Sequence, residues 1–588
     1  MKTVLSGNEA LARGAWQAGV MFAAAYPGTP STEILESLQG YREVHAQWAV
    51  NEKVAFDEAL GASMGGARAL VSMKHVGLNV AADSFMTASY TGVGGGLVVV
   101  SCDDPGMHSS QNEQDNRNYA AFAKAPLLEP ADSQECLEFV GRAFDLSEQF
   151  DTPVLLRLTT RISHTRCVVE TDGKRQIPTG WGFAKEPEKY VMVPAYARVR
   201  HRIVEERLAA LAAFAETTDL NRSESGSGDF GLIASGISYQ YAKEAFPEAP
   251  IFKLGFSYPL PLRRLREFVA SVGRVYVIEE LDPFIEERLL AAGIPVRGKA
   301  LLSLCGEYTP RAIHEAINKD LGRPSPLASG LSPLTSSLPP RPPVLCPGCP
   351  HRGILYALNR LKVNVMGDIG CYTLGALPPL LAMDSCVCMG ASVGLGVGLD
   401  KVSERGRTVA VVGDSTFIHS GIPPLIDMAW NRGAGVLIIL DNRTTAMTGR
   451  QPTAASSPTG SARTDVLEGA PPLDLVRLCQ AAGIEDVAVV DPYRLDQVFE
   501  TLRRALASER PSVIITNRPC GLLATVERQE PLAIDADLCQ GCLQCAELAC
   551  PALVVEGDQA RIVEELCRGC TLCSQVCDFG AVARLKGT

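Results

Sequence analysis

Near the end of the chain, eight cysteines fall into two runs, Cys539-x2-Cys542-x2-Cys545-x4-Cys550 and Cys567-x2-Cys570-x2-Cys573-x3-Cys577. Three thiols at every third position face one point only if the backbone makes a tight loop. Gly541 and Gly569 stand inside the two CxxC turns, where a positive φ costs little. A third cysteine at this spacing in both runs exceeds what zinc sites use, since those come as separated CxxC pairs; a pair of structural zinc sites is the alternative. A segment this short takes its core largely from whatever its thiols bind.

The two runs resemble the bacterial two-cluster ferredoxin pattern, in which the fourth cysteine of each run ligates the other cluster. The resemblance implies one [4Fe–4S] cluster on Cys539, Cys542, Cys545 and Cys577, and a second on Cys567, Cys570, Cys573 and Cys550. Two departures leave the ligands intact: the first run has four residues before its last cysteine, and Asp578 stands where proline usually follows the second run.

The rest of the chain is ordinary globular material. With 588 residues, 46% hydrophobic and 21% charged, it divides into about three to five domains. A net charge of −11 with no basic stripe gives no footing for nucleic acid. The opening Met1-Lys2-Thr3-Val4-Leu5 lacks the sections of a signal peptide, and no apolar run approaches the ~20 residues of a membrane span. The expectation is a cytoplasmic protein without a membrane partner. Nineteen cysteines in such a chain read as metal or redox chemistry.

Residues 1–195 alternate helical patterns with apolar runs at Phe22–Tyr26, Ala69–Met73 and Leu97–Ser101, as parallel strands of an α/β sheet do. The polar stretch Glu216–Asp229 reads as a loop or boundary. The α/β rhythm returns through Leu232–Ala234 and Val275–Ile278, so that 196–323 forms a second domain. Seven prolines in residues 324–343 make a semi-rigid linker. Residues 344–525 are again α/β, and 530–588 form the cysteine-rich domain. The fold class expected is α/β, with several doubly wound parallel sheets and a small α+β tail.

In the third α/β segment, the run Thr408–Val412 leads into Gly413-Asp414-Ser415 and the run Val436–Leu440 into Asp441-Asn442. Asp414 and Asn442 are 28 residues apart, one strand–helix–strand unit, so both project from the carboxyl ends of neighbouring parallel strands, where open sheets bind ligands. This segment resembles the thiamine diphosphate enzymes, whose motif begins Gly-Asp-Gly and ends in Asn. The resemblance implies Mg²⁺ held on the diphosphate by Asp414, Asn442 and the carbonyl of Thr444, all oxygen donors. Ser415 replaces the second glycine and Asp441 the first asparagine.

The front segment resembles pyruvate:ferredoxin oxidoreductases. The stretch Asn51 to Ser63 matches the helix start whose glutamate, here Glu52, hydrogen-bonds N1′ of the aminopyrimidine and promotes loss of the C2 proton. Tyr26-Pro27-Gly28-Thr29-Pro30 and Asn112-Glu113-Gln114-Asp115-Asn116-Arg117 resemble segments that set a threonine and an arginine beside the 2-oxoacid carboxylate, which makes Thr29 and Arg117 the implied substrate contacts. With Asn79 to Asp83, Cys346 to Arg352, Gly367 to Gly375 and Asp441 to Gly449, the order of parts most resembles the alpha subunits of indolepyruvate ferredoxin oxidoreductases over essentially the whole chain.

That resemblance implies two thiamine-fold domains around a transketolase C-terminal-like one. It also implies oxidative decarboxylation of an aryl pyruvate with coenzyme A, electrons passing to ferredoxin, and a smaller beta subunit in an α₂β₂ heteromer. A non-oxidative thiamine-dependent decarboxylase has no use for the tail, and a purely electron-relaying subunit leaves the body idle. A proximal [4Fe–4S] cluster on Cys346, Cys349, Cys371 and Cys520 is further implied by the family's Cys-Pro-Gly-Cys pair and later cysteines; the alternative is that Cys346 and Cys349 only shape the pocket. Gly390-x3-Gly394-x-Gly396-x-Gly398 reads as close helix packing or approach to the diphosphate.

Overall fold

The computed structural model describes residues 2–171, 173–176, 182–324, 343–402, 407–431, 435–456 and 471–584. The chain forms two compact units, Met1–Leu338 and Pro339–Thr588. The linker expected at 324–343 lies almost wholly outside the described residues.

In the first unit, seven strands lie in the order Phe256–Tyr258, Leu127–Leu128, Val154–Thr159, Leu97–Asp103, Ala69–Lys74, Phe22–Ala25 and His45–Trp48. All neighbours run parallel except the first, which is antiparallel. Leu97–Asp103 is buried at every position because both sheet faces are covered: Val98 and Val100 join one core, Leu97 and Val99 the other. A second sheet has Val275–Ile278, Gly231–Ser235 and Ile251–Leu254 in parallel, with Arg222–Glu224 as an antiparallel edge.

Two sequence expectations are corrected here. The stretch Glu216–Asp229 is not only a loop, because its residues Arg222–Glu224 make that edge strand. An edge strand needs only backbone pairing, and its polar side chains are engaged: Arg222 bonds Glu135 and Tyr239 donates to Glu224. The boundary at 195 is not a clean cut either. Helix Pro194–Ala215 places Leu211 and Ala215 in a core of the first sheet, and strand Phe256–Tyr258 returns to pair with Leu127–Leu128.

A buried ionic seam closes this unit. Arg157 pairs with Asp103 and Glu129, and Arg117 with Asp115 and Glu279. Beside them burial pushes the Glu280 carboxyl up to about 7, although it accepts a hydrogen bond from Tyr308 N. A raised carboxyl means that the native chain keeps a proton the unfolded chain releases. Its contribution to stability is therefore lost as pH rises from the ordinary 4.5 toward about 7. That loss is about 3 kcal/mol. Glu280→Gln, neutral at every pH, is expected to flatten the fall in stability between pH 5 and 7.5, as read from urea midpoints of the first unit's unfolding.

The second unit is built on six parallel strands in the order Ser385–Cys386, Asn364–Gly367, Thr408–Gly413, Val436–Asp441, Ser512–Asn517 and Asp486–Val490. Val409 and Val411 face one core, Ala410 and Val412 the other. The tail adds two antiparallel pairs, Leu532–Ile534 with Val582–Arg584 and Leu553–Glu556 with Gln559–Ile562. Its apolar core is not its own. Leu548, Ile562 and Leu572 belong to the same buried cluster as Leu355, Leu358 and Leu502 of the sheet domain. Buried Arg352 fastens the two parts, donating to the carbonyls of Leu345, Cys346 and Leu548. No helix among the described residues is long and apolar enough to cross a membrane.

Candidate functional site

Asp414 follows directly from strand Thr408–Gly413, and Asn442 from strand Val436–Asp441. Because Gly413 pairs with Leu440 in the parallel ladder, the two side chains emerge side by side. Gly413 is required here: a Cβ would stand 2.9 Å from the Tyr372 ring. The Tyr372 hydroxyl accepts from Gly413 N at 2.9 Å and donates to Ile369 O at 3.0 Å.

Asp414 is 2% exposed and accepts from Ser415 N and Arg443 N, both at 2.8 Å. Its carboxyl is held well above the ordinary range by burial and by Asp441 beside it. Asn442 accepts from Thr444 N at 3.1 Å and faces His351 Nε2 at 3.2 Å. Burial lowers His351 to about 4, so its imidazole is neutral near pH 7. Thr445 Oγ1 donates to Ser415 Oγ at 3.0 Å, joining the two loops. Two close carboxylates, an amide oxygen and the buried turn at Thr444 make a donor set of oxygens, which fits a hard divalent cation.

Asp368, fully buried, accepts from Ile369, Gly390 and Ser392 backbone N–H groups. It thereby fixes the start of helix Ala391–Asp400. Of the glycines expected to allow close packing, Gly396 meets Ala410 of the sheet, whereas Gly394 and Gly398 face open space.

The cysteines sort into three groups. Cys545 lies within electrostatic reach of Cys542, Cys577 and Cys539, and these four thiols line one pocket. Cys573 has Cys570, Cys550 and Cys567 as its nearest thiols, and Cys545 beyond them. These are the two sets implied by the ferredoxin pattern. Gly541 and Gly569 take φ of 67° and 70°. In the third group, Cys349 faces Cys371 and Cys346, Cys371 faces Cys520 and Cys346, and Cys520 faces Cys346. Burial lifts Cys349 to about 12 and Cys371 to about 11. Among the described residues no group of three or more histidine, cysteine, aspartate or glutamate side chains is placed to hold a single ion.

The groups are contiguous. Cys520 N donates to Asn442 O at 3.0 Å. Tyr493 donates to Gly348 O between Cys346 and Cys349, and its ring lies within reach of both Cys349 and Cys570.

In the first unit, Asn51 caps helix Glu52–Met64 and sets Glu52 at its first position, 5% exposed. Gly77 makes room for it, since a Cβ there would stand 2.7 Å from the Glu52 side chain. Thr29 follows strand Phe22–Ala25, next in the sheet to His45–Trp48, which precedes Glu52. Arg117 requires a correction. It is 1% exposed, its guanidinium pairs with Asp115 and Glu279, and it donates to the carbonyls of Glu280 and Asp282. It fastens two sheets of this unit together and presents no free fork to a carboxylate. Sequence reasoning placed Tyr372, Asp368 and His351 inside segments that carry the family resemblance but gave them no role, since backbone contacts and a lone buried histidine have no spacing signature.

Two family models match the chain. The C-terminal TPP binding domain of thiamine pyrophosphate enzymes covers residues 368–516. The thiamine diphosphate-binding model of pyruvate flavodoxin/ferredoxin oxidoreductases covers 13–207, reaching into the helix that packs on the first sheet. Indolepyruvate oxidoreductase subunit IorA of Methanothermobacter thermautotrophicus is 43% identical over 99% of this chain and 97% of its own length. The protein of the same name from Archaeoglobus fulgidus is 42% identical over 100% and 98%. Among solved structures, a 2-oxoglutarate:ferredoxin oxidoreductase from Magnetococcus marinus has 17% identity and a TM-score of 0.44 over 54% of this chain and 65% of its own.

Proposed function

Because the chain belongs to the family of indolepyruvate oxidoreductase IorA subunits, we propose that it oxidatively decarboxylates aryl pyruvates with coenzyme A. The 2-oxoacid and coenzyme A yield an aryl-acetyl-CoA, CO₂ and a proton, and two electrons leave for ferredoxin. Bound thiamine diphosphate supplies the carbanion chemistry at the 2-oxo carbon. In the first unit Glu52 would serve the N1′ proton of a bound thiamine, and in the second Asp414, Asn442 and the carbonyl of Thr444 would hold Mg²⁺ on a diphosphate. A smaller subunit completes an α₂β₂ heteromer.

The observation that carries this reading is the continuity of the second unit. Cys520 N donates to Asn442 O, Tyr493 donates to Gly348 O between Cys346 and Cys349, Tyr493 lies within electrostatic reach of Cys349 and Cys570, and Cys573 within that of Cys545. A non-oxidative decarboxylase would gain nothing from this series of thiols. Such a series suits an oxidation whose electrons are drawn off one at a time.

We assign a proximal [4Fe–4S] cluster to Cys346, Cys349, Cys371 and Cys520, and the two distal clusters to the tail. Protein purified anaerobically with its partner subunit is expected to hold about twelve irons per chain, falling to about eight in Cys349→Ala. Eight irons in the fully reconstituted parent would leave only the tail pair. The reaction is tested by coenzyme A-dependent dye reduction against a panel of 2-oxoacids. Preference for indolepyruvate and phenylpyruvate supports the reading, preference for another bulky 2-oxoacid moves the substrate within the family, and CO₂ release without dye reduction overturns it.

A further inference from the structure

With Arg117 enclosed, the first unit still has to offer the 2-oxoacid a cation. We propose that Lys74 fills that place and receives the substrate carboxylate. The inference rests on the thiamine-dependent reading above.

Three adjacent strands of the seven-stranded sheet are His45–Trp48, Phe22–Ala25 and Ala69–Lys74. At their carboxyl ends stand, in the same spatial order, Glu52, the Gly28–Thr29 segment and Lys74, where ligands of open parallel sheets bind. The stem of Lys74 runs along Gly28: a Cβ on that glycine would lie 3.1 Å from Lys74 Cβ and 3.8 Å from Cδ. The ammonium donates to Ser109 O at 2.6 Å, and Ser109 Oγ donates in turn to Thr29 O at 3.4 Å. Lys74 is thus tied to the threonine segment on one side and borders Glu52 on the other.

The charges facing it are Asp104 and Glu52. Asp104 is already occupied by Ser109 N, Ser110 Oγ and Thr160 Oγ1. Lys74 forms no ion pair with either, so of its three N–H donors one is used. Burial lowers it to about 8, which leaves the ammonium mostly charged at neutral pH yet stripped of much of its water. A partly desolvated cation beside the thiamine-activating glutamate favours a small anion over solvent. Arg117 shows the contrast: its partners are carboxylates of the chain itself, and it has no room for another.

The test uses the complete heteromer, with Lys74→Gln and Lys74→Arg beside the parent. Two inhibitors of equal shape, 3-phenylpropanoate and its neutral amide 3-phenylpropanamide, report whether a cation meets the carboxylate. The parent is expected to prefer the carboxylate. Lys74→Gln should raise the KM of the best 2-oxoacid by roughly 10- to 100-fold and lose the preference for carboxylate over amide. Its thiamine diphosphate affinity and KM for coenzyme A should hold, and Lys74→Arg should restore most of the preference. A merely structural lysine would not change that discrimination. An active parent whose Lys74→Gln variant keeps the same KM and the same preference overturns the assignment. A parent that oxidises no 2-oxoacid overturns the functional reading, and this inference with it.

Discussion

Glu52→Gln is expected to lower turnover by roughly 10²- to 10⁴-fold while thiamine diphosphate still binds and every cluster stays in place. Glutamine is nearly the same shape as glutamate and keeps the space that Gly77 leaves for it. What it loses is the charged acceptor at N1′, and with it the drive to remove the C2 proton. Steady-state dye reduction gives the loss, calorimetric titration with thiamine diphosphate gives the retained affinity, and the visible absorbance of the clusters gives their integrity. Gly77→Ala provides a second route to the same end. Its methyl would press the Glu52 side chain from 2.7 Å and should reduce turnover without changing the ionisable group. Near-parental turnover in Glu52→Gln removes the residue from the mechanism.

Asp414→Ala should abolish Mg²⁺-dependent binding of thiamine diphosphate, with at least a roughly 100-fold loss of affinity, since even residues behind a metal's ligands cost that much. The reason is the isolation of the pair. Asp414 is buried against Asp441, and burial and the neighbouring charge both work against its ionisation. A divalent cation reverses both effects at once, and neither survives removal of the carboxylate. Because alanine also removes a buried carboxyl crowded against Asp441, the variant without cofactor should fold. Its thermal midpoint should simply cease to rise when Mg²⁺ and thiamine diphosphate are added together. Unchanged affinity by calorimetry would move the metal elsewhere.

The parts legible in the sequence were those with a local period. The 28 residues between Asp414 and Asn442 are one strand–helix–strand turn, and the ladder from Val409 to Gly413 beside Val436 to Leu440 realises it. The cysteine spacing likewise carries local information, since three thiols of each run share one loop, and Cys545 has Cys542 and Cys539 among its electrostatic neighbours. What long-range pairing decides was hidden. Arg117 reads as a substrate contact until Glu279, 162 residues away, takes its guanidinium. Strand Arg222–Glu224 looks like a loop because an edge strand needs no apolar residues. Lys74 closes an apolar run, and only the fold reveals that Gly28 and Glu52 lie around it.

The core shared by the tail and the sheet domain limits how such a protein can be recombined. A ferredoxin module that folded alone could be traded for another by joining genes at a linker. Here, cutting before residue 530 would take Leu548, Ile562 and Leu572 out of the core they share with Leu355 and Leu358 and leave the Arg352 guanidinium without the carbonyl of Leu548. On the proposed cluster assignment, the electron route is therefore inherited together with the sheet domain. A change of acceptor must come by altering the outer face of the tail residue by residue, since exchanging the whole tail would take part of the catalytic unit's interior with it.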